Sequence, residues 1–411
     1  MKKILAVLLV AAMVFCFAAC TAKTPATDDT TTPATEGTTT PAADDGAEET
    51  TADAGTLVIG GIGPITGGAA VYGQSVKNGA NLAVDEINAA GGINGMQIKF
   101  LFQDDEHNPE KAVSAYNTLV DQGMQALIGT VTSAPCTAVA AETVEDNMFQ
   151  ITPSGSAVDC VKFDNAFRIC FSDPNQGAAS AQYIFDNELA SKVAVIYDSS
   201  DIYSSGIYET FVMRANELGL EIVDTEAFTS DSKTDFTVQI NKIKESGAEL
   251  VFLPFYYQEA ALVLTQAQGV LEDVKYFGCD GLDGLIDQLG ENVDLAEGVM
   301  LLTPFAADAE DELTQHFTSS YMDEFGGVPT QFAADAYDAV YTIKTAIEYA
   351  GISDASISAS DLCDALVAAM TEIEVEGVTG TMTWDASGEP TKDPKAMEIV
   401  VTDGVGSYKA I

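Results

Sequence analysis

Seven side chains in this sequence carry groups that could work together: Tyr72, Ser133, Ser154, Ser156, Tyr203, Tyr256 and Asp280. The serines fall in two short segments, GTVTSAPC (129–136) and ITPSGSA (151–157). Ser133 stands at the start of a helical pattern with Pro135 in its first turn, which suits an N-cap. The first amides of a helix lack partners and sit at the positive end of its dipole, so they bind small anions such as carboxylates. Two neighbouring strand ends with small hydroxyl residues therefore make a carboxylate cradle; capping alone is the plainer reading. Tyr203, Tyr256 and Asp280 each follow a strand pattern. An aromatic face and a carboxylate are what an ammonium group needs.

Tyr72 ends the Gly-rich stretch GGIGPITGGAAVYG (60–73). This is no phosphate loop. The third glycine of GxGxxG would fall at Thr66, and no Gly-Lys-Ser/Thr follows. Either the stretch is a tight turn between strand and helix, or it brings Tyr72 to a ligand at the end of the first strand.

Other chemistry finds little support. No GxSxG elbow occurs. His107, in DDEHNPE, reads as a surface residue flanking a helix, and His316 as a solvated residue on an acidic helix. Asp104, Asp105, Glu106 and His107 are chain neighbours, which rarely converge on one metal ion. No cofactor is expected. The body holds Cys136, Cys160, Cys170, Cys279 and Cys363, with no CxxC pair. A Cys136–Cys160 bridge is the expected pairing if one forms; buried free thiols are the alternative.

The elements that must position these groups alternate regularly. Apolar strands at 56–62, 97–103, 125–130, 149–152 and 167–171 interleave with helices at 75–92, 107–123 and 133–147. Helix 174–189 opens a second series, with strands at 192–197, 220–228, 249–255, 274–278 and 298–305. Helices at 310–325, 331–350 and 358–370 come late, and strands at 379–384 and 396–402 close the chain. Such alternation predicts an α/β protein with two doubly wound parallel-sheet lobes. The late helices suggest that the chain crosses back to the first lobe.

Composition narrows the function. The 411 residues carry 63 acidic and 18 basic side chains, a formal charge of −45. That balance excludes a nucleic-acid partner, since phosphates need Lys and Arg. The chain opens with Lys2, Lys3 and an apolar run to Ala19, which reads as a signal peptide over 1–19. Residues 20–54 are rich in Thr, Pro, Ala and acids, and read as a disordered tether of about 30 Å r.m.s. span. Phe17-Ala18-Ala19-Cys20 resembles a lipobox, which makes Cys20 the expected lipidation site.

The order of TLVIGGIGPITGGAAVYG, GANLAVDEINAAGGINGMQIKFLFQDDEHNPEKAV, ALIGTVTSAP, ITPSGS and FRICFSDPNQG resembles the periplasmic leucine/isoleucine/valine-binding proteins. The similarity covers nearly all of 55–411, including TMTWDASGEP. It implies a type I periplasmic-binding fold with lobes of 55–172 plus 303–385 and 173–302 plus 386–411. It also implies hinge passages near Phe171–Pro174, Thr303–Phe305 and Ala386–Pro390. Ser133 resembles the serine that binds the amino-acid carboxylate. Ser154 and Ser156 stand where relatives have Ala and Thr, and Tyr203 and Tyr256 match ligand-facing tyrosines. Asp280 stands where a Glu binds the ammonium, and is one methylene shorter. Tyr72 matches a residue lining the side-chain pocket.

The resemblance implies a monomeric, non-enzymatic solute-binding lipoprotein of an ATP-driven importer. Its partners would be a free branched-chain or other aliphatic amino acid, permease subunits, and the outer face of the bacterial cytoplasmic membrane through the lipid anchor. A sensory module for amino acids or small amides, and a lipid-anchored serine hydrolase, are the competing readings.

Overall fold

The computed structural model describes residues 54–411 apart from 393. The expected leader over 1–19, Cys20 and all but the last residue of the tether lie outside the described residues.

A first sheet collects five strands: β1 (Thr56–Gly63), β2 (Gln97–Asp104), β3 (Ala126–Gly129), β4 (Phe149–Thr152) and β5 (Ala166–Arg168). They run parallel in the order β2-β1-β3-β4-β5. β3 and β4 are buried at every position, as expected of strands covered on both faces. The helices between them are α1 (Ala70–Ala89), α2 (Pro109–Asp121) and α3 (Ser133–Glu145). Asn108 caps α2 by accepting from the Lys111 amide, with Pro109 as its first residue.

The second series runs α4 (Asp173–Asp186), β6 (Lys192–Asp198), α5 (Ile202–Leu218), β7 (Glu221–Phe228), α6 (Thr237–Ser246), β8 (Leu250–Leu253) and α7 (Tyr257–Ala267). It continues through β9 (Lys275–Gly278), α8 (Leu285–Leu289) and β10 (Met300–Thr303). Then come α9 (Glu312–Phe325), α10 (Gln331–Ala350), α11 (Ala359–Met370), β11 (Val375–Gly377), β12 (Gly380–Met382), β13 (Lys395–Thr402) and β14 (Val405–Ala410). The second sheet has the order β14-β13-β10-β9-β8-β6-β7. Its β10–β13 and β13–β14 pairs are antiparallel, so the parallel pattern stops at one edge. The β13–β14 pair is a two-residue hairpin, with Asp403 and Gly404 both at positive φ, 52° and 77°.

The late helices return to the first sheet. α10 lies along α1, and a side chain at Gly79 would collide with the Ala333 carbonyl. Tyr337 and Tyr341 both donate to Glu86 of α1, at 2.6 and 2.9 Å. The small strands β11 and β12 form their own two-stranded sheet.

Residues 384–390 stay with β5. The Arg168 amide donates to the Gly388 carbonyl at 3.1 Å, and the Trp384 indole donates to the Arg168 carbonyl at 2.7 Å. Thr391 still bonds to Thr383, while Lys395 already pairs with Thr303. The passage to the second sheet thus falls between Thr391 and Lys395, later than Ala386–Pro390. Lys392 anchors it: its ammonium, 3 % exposed, donates to the Ile169 carbonyl, Thr379 and Asp335.

Candidate functional site

Both sheets change winding direction at one point, between β1 and β3 and between β6 and β8. Clefts at the carboxyl ends of strands open there. The loops after β1, β3 and β4 face those after β6, β8 and β9 across a narrow cavity of about 10 Å³. It is lined by Tyr72, Ser133, Ser154, Tyr203, Tyr256 and Asp280. Ser156 is also buried but does not line it.

On the first-lobe side the hydroxyls are already engaged. Ser133 is not the N-cap expected from its sequence position; Thr132 takes that place, with no side-chain capping bond. The Ser133 hydroxyl instead accepts from the Ser156 and Ala157 amides at 3.2 and 3.1 Å. Ser154 donates to the Val131 carbonyl at 2.7 Å. Ser156 contributes its amide, while its own hydroxyl is buried without a partner. Arg168 holds this loop from behind: its guanidinium donates to the Gly155 and Ala157 carbonyls at 3.0 and 3.1 Å and pairs with Glu389 at 3.1 Å. Engaging the Gly155 carbonyl from behind fixes the peptide plane whose Ser156 N–H meets Ser133. The Ser133 hydroxyl, fixed by the two amides it accepts, keeps its own proton to donate to a carboxylate.

On the second-lobe side the groups are aromatic and anionic. Tyr203 and Tyr256 stack at 4.9 Å and 8°. Tyr203 donates to Asp280 Oδ1 at 2.6 Å, and the Gly281 amide donates to the same oxygen at 2.8 Å. Only glycine fits at 281, since a Cβ there would lie 2.6 Å from the Tyr203 hydroxyl. Burial pushes Asp280 up to about 6, against the hydrogen bonds from Tyr203 and Gly281. The Tyr256 hydroxyl and the Gln176 amide nitrogen are buried without partners. A buried carboxylate beside orphaned polar atoms is a surface that a cation would complete.

Four further residues line the cavity: Val131, Thr132, Gly281 and Phe332. Phe332 packs on Tyr72 with ring centroids 4.3 Å apart. In sequence it belongs to an aromatic stripe that reads as core, and nothing in its spacing marks it as a wall of the site. His107 departs further from its sequence reading as a surface flank. Its Nδ1 lies 2.9 Å from the Thr132 hydroxyl, and its ring meets Tyr256 edge-on at 5.4 Å. A positive φ of 57° turns the residue into the cleft. Burial, reinforced by Lys233 and opposed by Asp198, drops its pKa to about 4, so the ring is neutral.

The expected Cys136–Cys160 bridge is absent. Both are free thiols in one small buried cluster with Ala157. Each has a polar neighbour: the Gln150 amide for Cys136 at 3.4 Å and the Ser133 carbonyl for Cys160 at 3.6 Å. Among the described residues no group of three or more His, Cys, Asp or Glu side chains is arranged to hold a metal ion.

Comparison with known proteins agrees with this geometry. The family described as periplasmic binding protein matches residues 56–404. A Leu/Ile/Val-binding protein homolog of Brucella melitensis biotype 1 is 31% identical over 344 residues, 81% of this chain and 88% of the relative. A leucine-, isoleucine-, valine-, threonine- and alanine-binding protein of Pseudomonas aeruginosa is 30% identical over 307 residues, 73% of this chain and 80% of the relative. The branched-chain amino acid transporter substrate-binding protein LivJ of Streptococcus pneumoniae, solved with isoleucine, superposes with a TM-score of 0.76 at 28% identity. That match covers 87% of this chain and 100% of the other.

Proposed function

This chain belongs to the periplasmic binding protein family, and we propose that its interlobe cavity takes a free amino acid with an aliphatic side chain. The family is one of solute-binding proteins, not enzymes. One observation carries the choice of ligand: Ser133 and Asp280 line a single small cavity from opposite sides. The first side offers the Ser133 hydroxyl proton to a carboxylate; the second offers Asp280 and two tyrosine faces to an ammonium. Tyr72, Val131 and Phe332 are left to meet an apolar side chain. The names of relatives that bind leucine, isoleucine, valine, threonine and alanine support the same class.

The mechanism follows from desolvation. Closing two lobes over a zwitterion removes both charges from water, which costs several kcal/mol per ion, about as much as good pairing returns. Only a ligand that pairs at both ends makes closure favourable. A ligand with a carboxylate alone would leave Asp280 buried and unpaired. The closed, loaded form would then dock on a membrane permease, with the body held near the membrane through Cys20. A serine hydrolase gains no support from His107, whose ring bonds to Thr132 and not to Ser133, Ser154 or Ser156.

A thermal-shift screen of the twenty amino acids, with the matching amines and carboxylic acids, tests the reading. Aliphatic amino acids should raise the midpoint, since a ligand at 100 times its dissociation constant adds about 2.7 kcal/mol. An equal response to isoleucine and to its deaminated acid would remove Asp280 from recognition. Incorporation of a fatty-acid label by the wild type, lost in Cys20→Ser, tests the anchor.

A further inference from the structure

The turn that carries Asp280 does more than face the cavity. Residues Asp280–Leu282 form a single buried 3-10 turn after β9, and Asp283 follows it directly. Four hydrogen bonds fasten this region of the second lobe to the first. The Tyr72 hydroxyl of α1 donates to the Gly281 carbonyl at 2.6 Å and accepts from the Tyr257 amide at 3.3 Å. The Gln331 side chain donates to the Asp280 carbonyl at 3.2 Å, and the Gln331 amide donates to Asp283 Oδ2 at 2.8 Å.

The last bond is unusual in kind. Gln331 is the first residue of α10, a helix of 20 residues. Its own N-cap, Thr330, makes no side-chain capping bond, and the Thr330 hydroxyl is buried without a partner. The capping acceptor is thus supplied by the opposite lobe. Asp283 is 5 % exposed and has the charge that a helix N-terminus favours. Phe332, next along α10, is a wall of the cavity. One short turn therefore touches the ligand site, α1 and α10 together.

We propose that Asp280–Asp283 is an interlobe clasp, in which Asp283 caps α10 across the cleft and holds the closed state around the ligand. The proposal rests on the amino-acid-binding reading and deepens it. Opening the lobes must break all four bonds, whereas the open form can still admit ligand. Asp283 is a positioning residue: it governs how long the ligand stays, through α10 and the Asp280 turn, not how the ligand is first met.

The test is stopped-flow kinetics with whichever of the twenty amino acids the wild type binds. Asp283→Ala should speed dissociation about tenfold to hundredfold, the range for a hydrogen bond to a charged group. The association rate should change by less than about threefold. Asp283→Asn keeps an acceptor at the helix end and should restore at least half of the loss on a logarithmic scale, with the ligand-free melting midpoint of both variants close to wild type. An unchanged dissociation rate in Asp283→Ala overturns the clasp, as does a loss confined to the association rate. Should Asp283→Ala fail to fold, Gln331→Met decides: dissociation severalfold faster supports the clasp, and an unchanged rate overturns it. Should no amino acid bind the wild type, the functional reading fails, and ligand-free X-ray scattering judges the clasp separately. A larger radius of gyration in Asp283→Ala than in wild type supports it; equal radii overturn it.

Discussion

The two walls of the cavity are built on opposite terms. The first-lobe wall is satisfied before any ligand arrives: Ser133 accepts two amides, Ser154 donates to Val131, and Arg168 pins the loop carbonyls. The second-lobe wall is left incomplete. Asp280 is raised to about 6 by burial, and Tyr256 and Gln176 keep orphaned polar atoms. Neutral donors held by a scaffold can stay buried at little cost, because each has a partner in the protein. An anion buried with too few partners is costly, and its missing partner is the signal for what should bind. Specificity for an ammonium thus resides in the frustrated wall, and geometric precision in the satisfied one.

The comparison breaks most sharply at Asp280. Asp280→Ala should weaken amino-acid binding by about 2–5 kcal/mol in a calorimetric titration, because an ammonium would then be buried unpaired. Normal affinity in that variant would remove the frustrated wall from recognition. Ser133→Ala should weaken binding by about 1.5–3 kcal/mol, the worth of a hydrogen bond to a charged group. A Ser133→Ala loss larger than that of Asp280→Ala would reverse the ranking of the two walls.

Acidity should separate the walls next. Asp280 must be ionised to hold an ammonium, so affinity should fall about tenfold from pH 7 to pH 5 as Asp280 takes up its proton near pH 6. Ligand-free stability should move the other way. Asp280, Asp283 and Asp105 have folded pKa values of about 6, 6 and 7, all above the ordinary carboxylate range. Between pH 4 and 6 the folded chain therefore binds more of these protons than the unfolded one, and stability rises as pH falls. His107, lowered to about 4, opposes this below pH 6.5. Affinity that rises on acidification, tracked beside melting midpoints, would refute the assignment. The smallest effect belongs to Tyr256→Phe. Removing an orphaned hydroxyl should leave ligand-free stability unchanged or raised by up to about 1 kcal/mol, while affinity drops only severalfold; a clear loss of ligand-free stability would show that the hydroxyl has a partner.

Much of this was legible in the sequence, and the gaps have physical reasons. Alternating apolar strands and amphipathic helices announced both parallel sheets, since each strand had to be covered twice. The antiparallel edge was missed although Asp403-Gly404 is a hairpin signal, because the polar strand after it (VGSYKA, 405–410) lacks an apolar run. Six of the seven proposed ligand residues meet at one cavity, because strand ends at a winding reversal converge whatever their sequence separation. Phe332 was not legible as a wall, nor His107 as a buried neighbour of Thr132 and Tyr256. One reaches the site through a helix about 260 residues beyond Tyr72, and the other through a left-handed backbone turn that no spacing rule foretells. The Ser133 cap failed for a local reason: the helix began one residue earlier, which freed its hydroxyl to face the next loop.

The packing of α1 against α10 constrains how the chain can be made. The apolar stripe of α1, with Val76, Ala80, Ala83 and Ile87 fully or almost fully buried, is completed by residues that leave the ribosome some 250 positions later. Until then that stripe has no native cover, so a sticky nascent surface must wait through the synthesis and transit of β6 to β10, all the parallel strands of the second sheet. A fragment ending near Gly327 should therefore be a substrate for chaperones and proteases rather than an autonomous half-protein.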